Sequence, residues 1–203
     1  MSSAPRPAHE TRSAIEPACR GHVLADKARA ARTREAPRRH SNALDTAVSS
    51  LAQPSEHQMT LTAPYDPNNI FGRILRGEVP AAKVWEDDHV LAFMDAFPQS
   101  EGHVLVISKT STSRTLLDVE PDVLARLALA TRRTARAVVK ALAPEGFLIV
   151  QLNGAASGQT IFHLHFHIIP RWADVPIKGH GQAPMGKPET LLALADRIAA
   201  ALD

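Results

Sequence analysis

The sequence has a single cysteine, Cys19, among its 203 residues. One cysteine excludes an internal disulfide and any metal site built from several thiolates, and it favours a reducing, cytoplasmic setting. No stretch approaches the roughly 20 consecutive apolar residues of a membrane-spanning helix. The formal net charge of +2 is small, so charge points to neither a nucleic acid nor a membrane as a partner.

Aromatic side chains are also scarce, and their distribution divides the chain. The six Phe, two Trp and one Tyr all lie at or after Tyr65. The preceding segment is rich in Ala, Arg, Ser and Pro and has no sustained helical or strand periodicity. Such a segment has little with which to offset the entropy of ordering a chain. We expect residues 1–58 to be a disordered, low-complexity extension.

Three hypotheses stay open for this extension. Its nine Lys and Arg against six Asp and Glu are a modest excess, which favours a solvated tail over an arm that binds nucleic acid or membrane. It lacks the apolar run of a secretory signal, and its scattered acids count against an organellar transit peptide. Because Met59 is the first Met after Met1, an artefact of start-site assignment explains the extension equally well.

From residue 66 onward, the pattern predicts helices packed against an antiparallel sheet. Helices are expected at 67–76, from 120 to Pro144, and at 188–202, where apolar residues recur at three- and four-residue steps or Pro and Gly mark the ends. Strands are expected at 83–86, 90–94, 103–107, 146–152 and 161–169. Tight turns between neighbouring strands favour antiparallel pairing. We therefore predict an α+β fold over residues 66–203, with a five-stranded antiparallel sheet, a long central helix and a C-terminal helix.

The most informative pattern is the run His163 to Arg171, whose sequence is HLHFHIIPR. Side chains alternate across a strand, so the three histidines share one face while the apolar residues between them share the other. A hydrogen-bonded core histidine would explain any one of them. Zinc binding with a further ligand is a second explanation. The strict alternation favours a reaction site.

A loop rich in small residues, Asn153 to Thr160, precedes this run. Its glycines allow backbone N–H groups to approach an anion closely, and Gln159 and Thr160 add donors. Taken alone, the loop is explained as an ordinary polar turn. Next to three histidines, it indicates a phosphate between the loop and the imidazoles.

With these motifs, the chain resembles the histidine triad (HIT) superfamily of nucleotide hydrolases and transferases, whose signature is His-φ-His-φ-His-φ-φ with φ apolar. Three further segments resemble the family in order and spacing, and they are residues 70–80, 86–95 and 102–107. The resemblance covers about residues 66–203. It is strongest to the Hint-like branch of nucleotide-binding proteins and phosphoramidases.

The resemblance implies that His165, the middle member, is the nucleophile. Its Nε2 would attack the α-phosphorus of a purine nucleotide ester, anhydride or phosphoramidate and form a nucleotidyl-histidine, which water then hydrolyses. Elementary chemistry agrees, because a neutral imidazole is nucleophilic near pH 7. The attack requires Nδ1 to carry the proton, which a backbone carbonyl can fix.

The resemblance also implies which residues contact the phosphate. His167 and Gln159 would bind its non-bridging oxygens. Asn153 and Thr160 would lie near the bridging atom and the leaving group, with Gly158 in the same substrate-binding loop. Donors aimed at a transferring phosphoryl group supply most of the stabilisation in such reactions.

The remaining implied roles each have a simpler alternative. His103 would support the triad, or be a surface histidine on an edge strand, and His163 would orient the strand face. Asp95 would accept hydrogen bonds from the ribose hydroxyls, or only cap a turn. An apolar slot for the base would be lined by residues that are equally explained as core, namely Ile70, Phe71 and Leu91.

The chain departs from the family at a structural zinc site. Many bacterial relatives hold zinc through a Cys-x-x-Cys pair and a histidine after the third strand, where this sequence has Asn69, Gly72 and Ser111. With those ligands missing, we expect no metal and no cofactor.

The sequence therefore predicts a nucleotide hydrolase or transferase of the phosphoramidase type, acting on an AMP-like purine nucleotide. Two alternatives stay open, a dinucleoside polyphosphate hydrolase and a nucleotide-binding scaffold with residual activity. The resemblance further implies a homodimer, and we expect no nucleic-acid or membrane partner and a cytoplasmic location.

Overall fold

Five strands form one antiparallel sheet in the computed structural model, which describes residues 61–203. The strands are β1 (Lys83–Glu86), β2 (Val90–Met94), β3 (Val104–Ser108), β4 (Gly146–Val150) and β5 (His165–Arg171). Their order across the sheet is β1-β2-β3-β5-β4. The predicted α+β class and the five-stranded antiparallel sheet are confirmed.

Three α-helices accompany the sheet in the described part, and they are α1 (Ile70–Leu75), α2 (Pro121–Leu142) and α3 (Pro188–Ala199). Helix α1 begins where Oδ1 of Asn69 accepts hydrogen bonds from the N–H groups of Phe71 and Gly72, which is the usual N-cap arrangement. Helices α2 and α3 both begin with a proline, whose fixed φ and missing N–H suit the first turn. Helix α2 ends where Ala143 takes a left-handed conformation with φ of 49°.

The two faces of the sheet have different partners. One face packs against α2 and α3 in a core that includes Val106 and Ile168, and Nε1 of Trp85 donates to Oγ1 of Thr134 across it. The opposite face carries a smaller cluster around Phe71 and Leu91. Strands β2 and β3 are buried on both faces, so the centre of the sheet is a fixed platform for the side chains on either side.

The histidine segment differs from its predicted boundaries. Strand β5 begins at His165 and ends at Arg171 rather than spanning 161–169. The preceding residues bond to the loop after β3 instead of to a strand, since the N–H of Leu164 donates to the carbonyl of Ser113. His163 therefore lies just before the strand, although its ring remains on the same side as the other two histidines.

The other boundaries shift by a few residues at most. Helix α1 begins at Ile70 rather than at 67, β3 is one residue later, and β4 ends at Val150. Helix α3 ends at Ala199 instead of 202. None of these shifts moves a predicted site residue to the opposite face of the sheet.

The structure does not test the predictions for the N-terminal extension. The expected disorder of residues 1–58 and the start-site hypothesis lie outside the described residues. Within the described part, the segment before α1 contacts the rest of the domain at Ala63, whose carbonyl accepts a hydrogen bond from Nη1 of Arg114. No helix of residues 61–203 is long and apolar enough to cross a membrane.

Candidate active site

His165 has a defined tautomer. Its Nδ1 lies 2.6 Å from the carbonyl oxygen of His163. A carbonyl can only accept, so Nδ1 carries the proton and Nε2 has the lone pair. The ring is only 4% exposed, and burial lowers the pKa of His165 from its usual value. At neutral pH, Nε2 is therefore an unprotonated nitrogen, as nucleophilic attack requires.

His103 and His167 form a hydrogen-bonded pair. The N–H of Gln99 donates to Nδ1 of His103 at 3.2 Å, so the neutral ring of His103 carries its proton on Nε2. That proton is donated to Nδ1 of His167 at 2.9 Å, which leaves the proton of His167 on Nε2. Nε2 of His167 is buried and has no hydrogen-bond partner among the described residues, so it is a donor directed at a missing acceptor.

Both members of this pair are neutral near pH 7. Burial lowers the pKa of His103 to about 4, although the nearby Asp95 carboxylate acts in the opposite direction. Burial, followed by the neighbouring His165 and His103 rings, lowers the pKa of His167 to about 2. The pair therefore offers a polar N–H rather than a positive charge.

Asp95 follows β2 and contacts His103. Its Oδ1 accepts a hydrogen bond from the N–H of Phe97 at 2.8 Å, and its Oδ2 lies 3.3 Å from Nδ1 of His103. The carboxylate thus caps the turn, as the simpler alternative supposed, and also lies beside the histidine pair. Its hydrogen bonding to ribose stays a prediction.

His163 connects two parts of the domain. Its Nε2 donates to the carbonyl of Ser108 at 3.2 Å, and its Nδ1 accepts from the hydroxyl of Tyr65 at 2.8 Å. Burial lowers its pKa to about 4. Both nitrogens are occupied by protein groups, while the orienting role expected of His163 stays a prediction. Sequence reasoning did not find Tyr65 because it lies 98 residues away.

Apolar residues form a wall beside the histidines. The ring of Phe71 meets the rings of His165 and His163 edge-on, with centroid distances of 5.0 and 6.0 Å. Leu91 is buried in the same cluster, and Ile70 is partly buried against it. The structure thus brings all three predicted base-slot residues to the histidine side of the sheet, while a contact with a base stays a prediction.

Gln159 is occupied by the backbone. Its Oε1 accepts from the N–H of Gly154 at 2.7 Å, and its Nε2 donates to the carbonyls of Arg114 and Ile161 at 2.7 and 3.2 Å. The side chain therefore braces the loop in this structure. The phosphate contact expected of Gln159 stays a prediction, and it would require these bonds to be exchanged.

The other predicted residues of this loop are Asn153, Thr160 and Gly158. Asn153 contacts Leu116 and Gln151 rather than a histidine, since its Oδ1 accepts from the Leu116 N–H and its Nδ2 donates to the Gln151 side chain. Thr160 is exposed and has no hydrogen bond through its side chain within the described structure. Gly158 takes a left-handed conformation with φ of 95°.

A further histidine, His180, lies beside the triad and was missed from the sequence. Its ring centroid is 5.5 Å from that of His167, with the two planes almost perpendicular at 84°. His180 belongs to a segment without helical or strand periodicity, so no pattern linked it to the triad. Its flanking glycines, Gly179 and Gly181, are the one local signal of a specialised turn.

Three side chains of the site could in principle contribute ligands to a metal ion. Asp95, His103 and His167 bring one donor atom each within 4.8 Å of one another. However, Nε2 of His103 and Nδ1 of His167 are committed to their mutual hydrogen bond. At the family's zinc positions, Asn69 caps α1 and Ser111 bonds to Ser113. The absence of a metal stays a prediction.

Comparison with known proteins identifies the family. Residues 76–174 match the family model of the HIT domain. Over 139 residues, the chain is 37% identical to the protein hit of Bacillus subtilis, an alignment that covers 65% of this chain and 92% of the relative. The chain belongs to the HIT family.

Two further HIT relatives help to define this member. It is 40% identical over 117 residues to the adenylylsulfatase HINT3 of Arabidopsis thaliana, an alignment covering 55% of this chain and 59% of the plant protein. A crystal structure of a HIT-like protein of Bartonella henselae involved in cell-cycle regulation matches with a TM-score of 0.64 and 45% identity. That match covers 68% of this HIT protein and 98% of the other chain, so the fold described above is the HIT fold.

Proposed function

We propose that this HIT protein is a nucleotide hydrolase or transferase that acts at the α-phosphate through a covalent nucleotidyl group on His165. The observation that carries the proposal is the hydrogen bond from Nδ1 of His165 to the carbonyl of His163. This bond fixes the tautomer whose Nε2 can attack phosphorus. Burial favours the neutral ring, in which Nε2 is unprotonated, without help from a separate base.

The phosphate-binding part of the proposal depends on His167. Its Nε2–H is a buried donor that no described protein group accepts, and its ring centroid is 4.8 Å from that of His165. A non-bridging phosphate oxygen would be the missing acceptor. The electron pair of His165 Nε2 then forms the bond to phosphorus as the bond to the leaving group breaks, and water later displaces the nucleotide from His165.

The substrate class that we favour is a purine nucleoside phosphoramidate or a related adenylated compound. The name of the plant relative, an adenylylsulfatase, supports an adenylyl group as the part that is transferred. The apolar wall at Phe71 and Leu91 provides a surface against which a base could pack. A dinucleoside polyphosphate has the same adenylyl group and remains the second candidate substrate.

The test is turnover of adenosine phosphoramidate by the protein and by His165→Ala. We expect the substitution to abolish turnover while AMP binding, followed by calorimetry, is retained. His89→Ala is the matched control, because His89 is exposed in the β1–β2 turn. Full turnover by His165→Ala would eliminate the covalent mechanism. Background turnover by the unsubstituted protein, with AMP still bound tightly, would instead favour a binding scaffold.

We further propose that the protein is a homodimer. Strand β4 lies at one edge of the sheet and exposes Phe147, Leu148 and Ile149, each 44–45% accessible. Beside it is a mainly apolar groove of about 700 Å³ between α2, β4 and β5. An edge strand with a row of exposed apolar side chains favours pairing with a second copy.

The expected cytoplasmic location stays a prediction.

Sedimentation tests the dimer. We expect the protein to sediment as a dimer and Ile149→Asp, in the groove, to sediment as a monomer. Leu192→Asp is the matched control, since Leu192 is 52% exposed on α3 and does not line the groove. A monomer in the unsubstituted protein would contradict the proposal.

A further inference from the structure

His180 lies in a turn whose position is fixed by hydrogen bonds to the β2–β3 connection. Lys178 and Gln99 exchange two bonds, from the Lys178 N–H to the Gln99 carbonyl at 3.1 Å and from Nε2 of Gln99 to the Lys178 carbonyl at 2.9 Å. Gln99 is also the residue whose N–H fixes the tautomer of His103. The turn that carries His180 and the buried histidine pair are therefore positioned by the same residue.

Two sides of the site meet at His180. Its ring packs edge-on against His167. On the loop side, a Cβ at Gly158 would lie 3.9 Å from Cδ2 of His180, so the imidazole reaches the substrate-binding loop as well. Unlike the three triad members, His180 is exposed to solvent, which allows it to exchange protons with water.

The buried histidines cannot supply a proton to a leaving group. His165 uses its only proton on the carbonyl of His163, and His163 uses its own on the carbonyl of Ser108. The proton of His103 is bonded to His167. The remaining one, on Nε2 of His167, belongs to a neutral imidazole, which is a very weak acid. Asp95 faces Nδ1 of His103, with Oδ2 at 3.3 Å. An amine that leaves phosphorus nevertheless needs a proton.

We propose that His180 is the catalytic acid that protonates the leaving group, an inference that rests on the proposed function. As Nε2 of His165 bonds to phosphorus, the bond from phosphorus to the leaving atom breaks. The electron pair of that bond takes the proton of the His180 imidazolium. His180 becomes neutral and regains a proton from water, and the adenylyl group remains on His165.

The experiment measures single-turnover formation of adenylyl-His165 with two substrates. In an alkyl phosphoramidate of AMP, the leaving amine needs a proton, whereas in adenosine 5′-phosphosulfate the sulfate leaves as an anion. We expect His180→Ala to slow adduct formation about 100-fold or more with the phosphoramidate and less than about 3-fold with the phosphosulfate. His180→Asn should behave similarly, because an amide is not an acid.

His89→Ala provides the matched control, as another exposed histidine of the same domain, and should leave both rates unchanged. An equal loss with the two substrates, or no loss with the phosphoramidate, would overturn the role of His180. If the unsubstituted protein formed no adduct at His165 with either substrate, the proposed function itself would fail, and that result is distinct from a change in the ratio of the two rates.

Discussion

Nε2 of His103 and Nδ1 of His167 are 2.9 Å apart and are joined by a hydrogen bond. Through this bond, a backbone N–H at Gln99 determines which nitrogen of His167 carries a proton. The second ring therefore presents an N–H donor rather than a lone pair to the space beside His165. An anion is the kind of ligand that this arrangement favours.

The role of His103 as a positioning residue can be tested by replacing its donor. His103→Leu removes the N–H that fixes the tautomer of His167, so that His167 no longer reliably presents its own N–H to the phosphate. We expect kcat to fall at least about tenfold, which is the usual effect of losing one hydrogen bond to a charged group. His103→Gln keeps an N–H donor and should restore part of that loss. Steady-state kinetics with adenosine phosphoramidate separates kcat from KM. Equal activity of the two variants would contradict the role.

Stability should fall as the pH is lowered from about 6.5 towards 4. The pKa values of His103 and His163 are about 4 in the folded protein, so these rings resist protonation while the unfolded chain takes up protons near its usual pKa of about 6.5. The stabilisation is fully present above pH 6.5. As the pH falls within this window, each such histidine lowers the free energy of unfolding by about 1.4 kcal/mol per pH unit.

Urea unfolding at pH 7.5, 6.5, 5.5 and 5.0 measures this dependence before most carboxylates titrate. His103→Gln should reduce the slope by about one proton, because it removes the buried ring that resists protonation in the folded protein. A free energy of unfolding that is constant between pH 6.5 and 5.0 would show that the buried rings are not neutral as described.

Tyr65 should contribute to stability and little to chemistry. Tyr65→Phe keeps the aromatic ring but removes the O–H that donates to Nδ1 of His163, leaving a buried acceptor without its partner. We expect a loss of about 1–2 kcal/mol in the free energy of unfolding, with kcat changed less than about threefold. Denaturant titration and single-turnover rates check both. A fall in kcat comparable to that of His165→Ala would disagree with this assignment.

A substitution at Gln159 can distinguish between a role in bracing the loop and a direct contact with phosphate. Gln159→Glu retains an acceptor for the Gly154 N–H but loses the donor to the carbonyls of Arg114 and Ile161. We expect a loss of stability of about 1–3 kcal/mol, measured by urea unfolding. Unchanged stability together with a large rise in KM would instead support the direct phosphate contact implied by the family resemblance.

Most of the fold follows from local patterns. Alternation and apolar runs identify β1 and β2 with the observed boundaries, and the long stripe between Pro121 and Pro144 identifies α2. The order of the strands could not be predicted from local patterns. Strand β5 pairs with both β3 and β4, and local periodicity does not encode which strands pair. The start of β5 was wrong because Leu164 bonds to a loop carbonyl.

The site was predictable where residues act through their own strand. The common face of His163, His165 and His167 follows from the spacing of the run. That spacing does not show which carbonyl fixes the tautomer of His165; the structure identifies it as that of His163. Partners from distant segments could not be inferred in this way. Tyr65 and His180 reach the histidines only through the tertiary fold, and the Gln159 amide is occupied by a carbonyl 45 residues away.

The covalent mechanism is tested most directly by the intact mass of the protein after brief incubation with an adenylated substrate, followed by peptide mapping under conditions that preserve phosphorus–nitrogen bonds. We expect a gain of one adenylyl group per chain, located on His165 and absent from His165→Ala. Turnover without any adduct, or an adduct located on another residue, would contradict it.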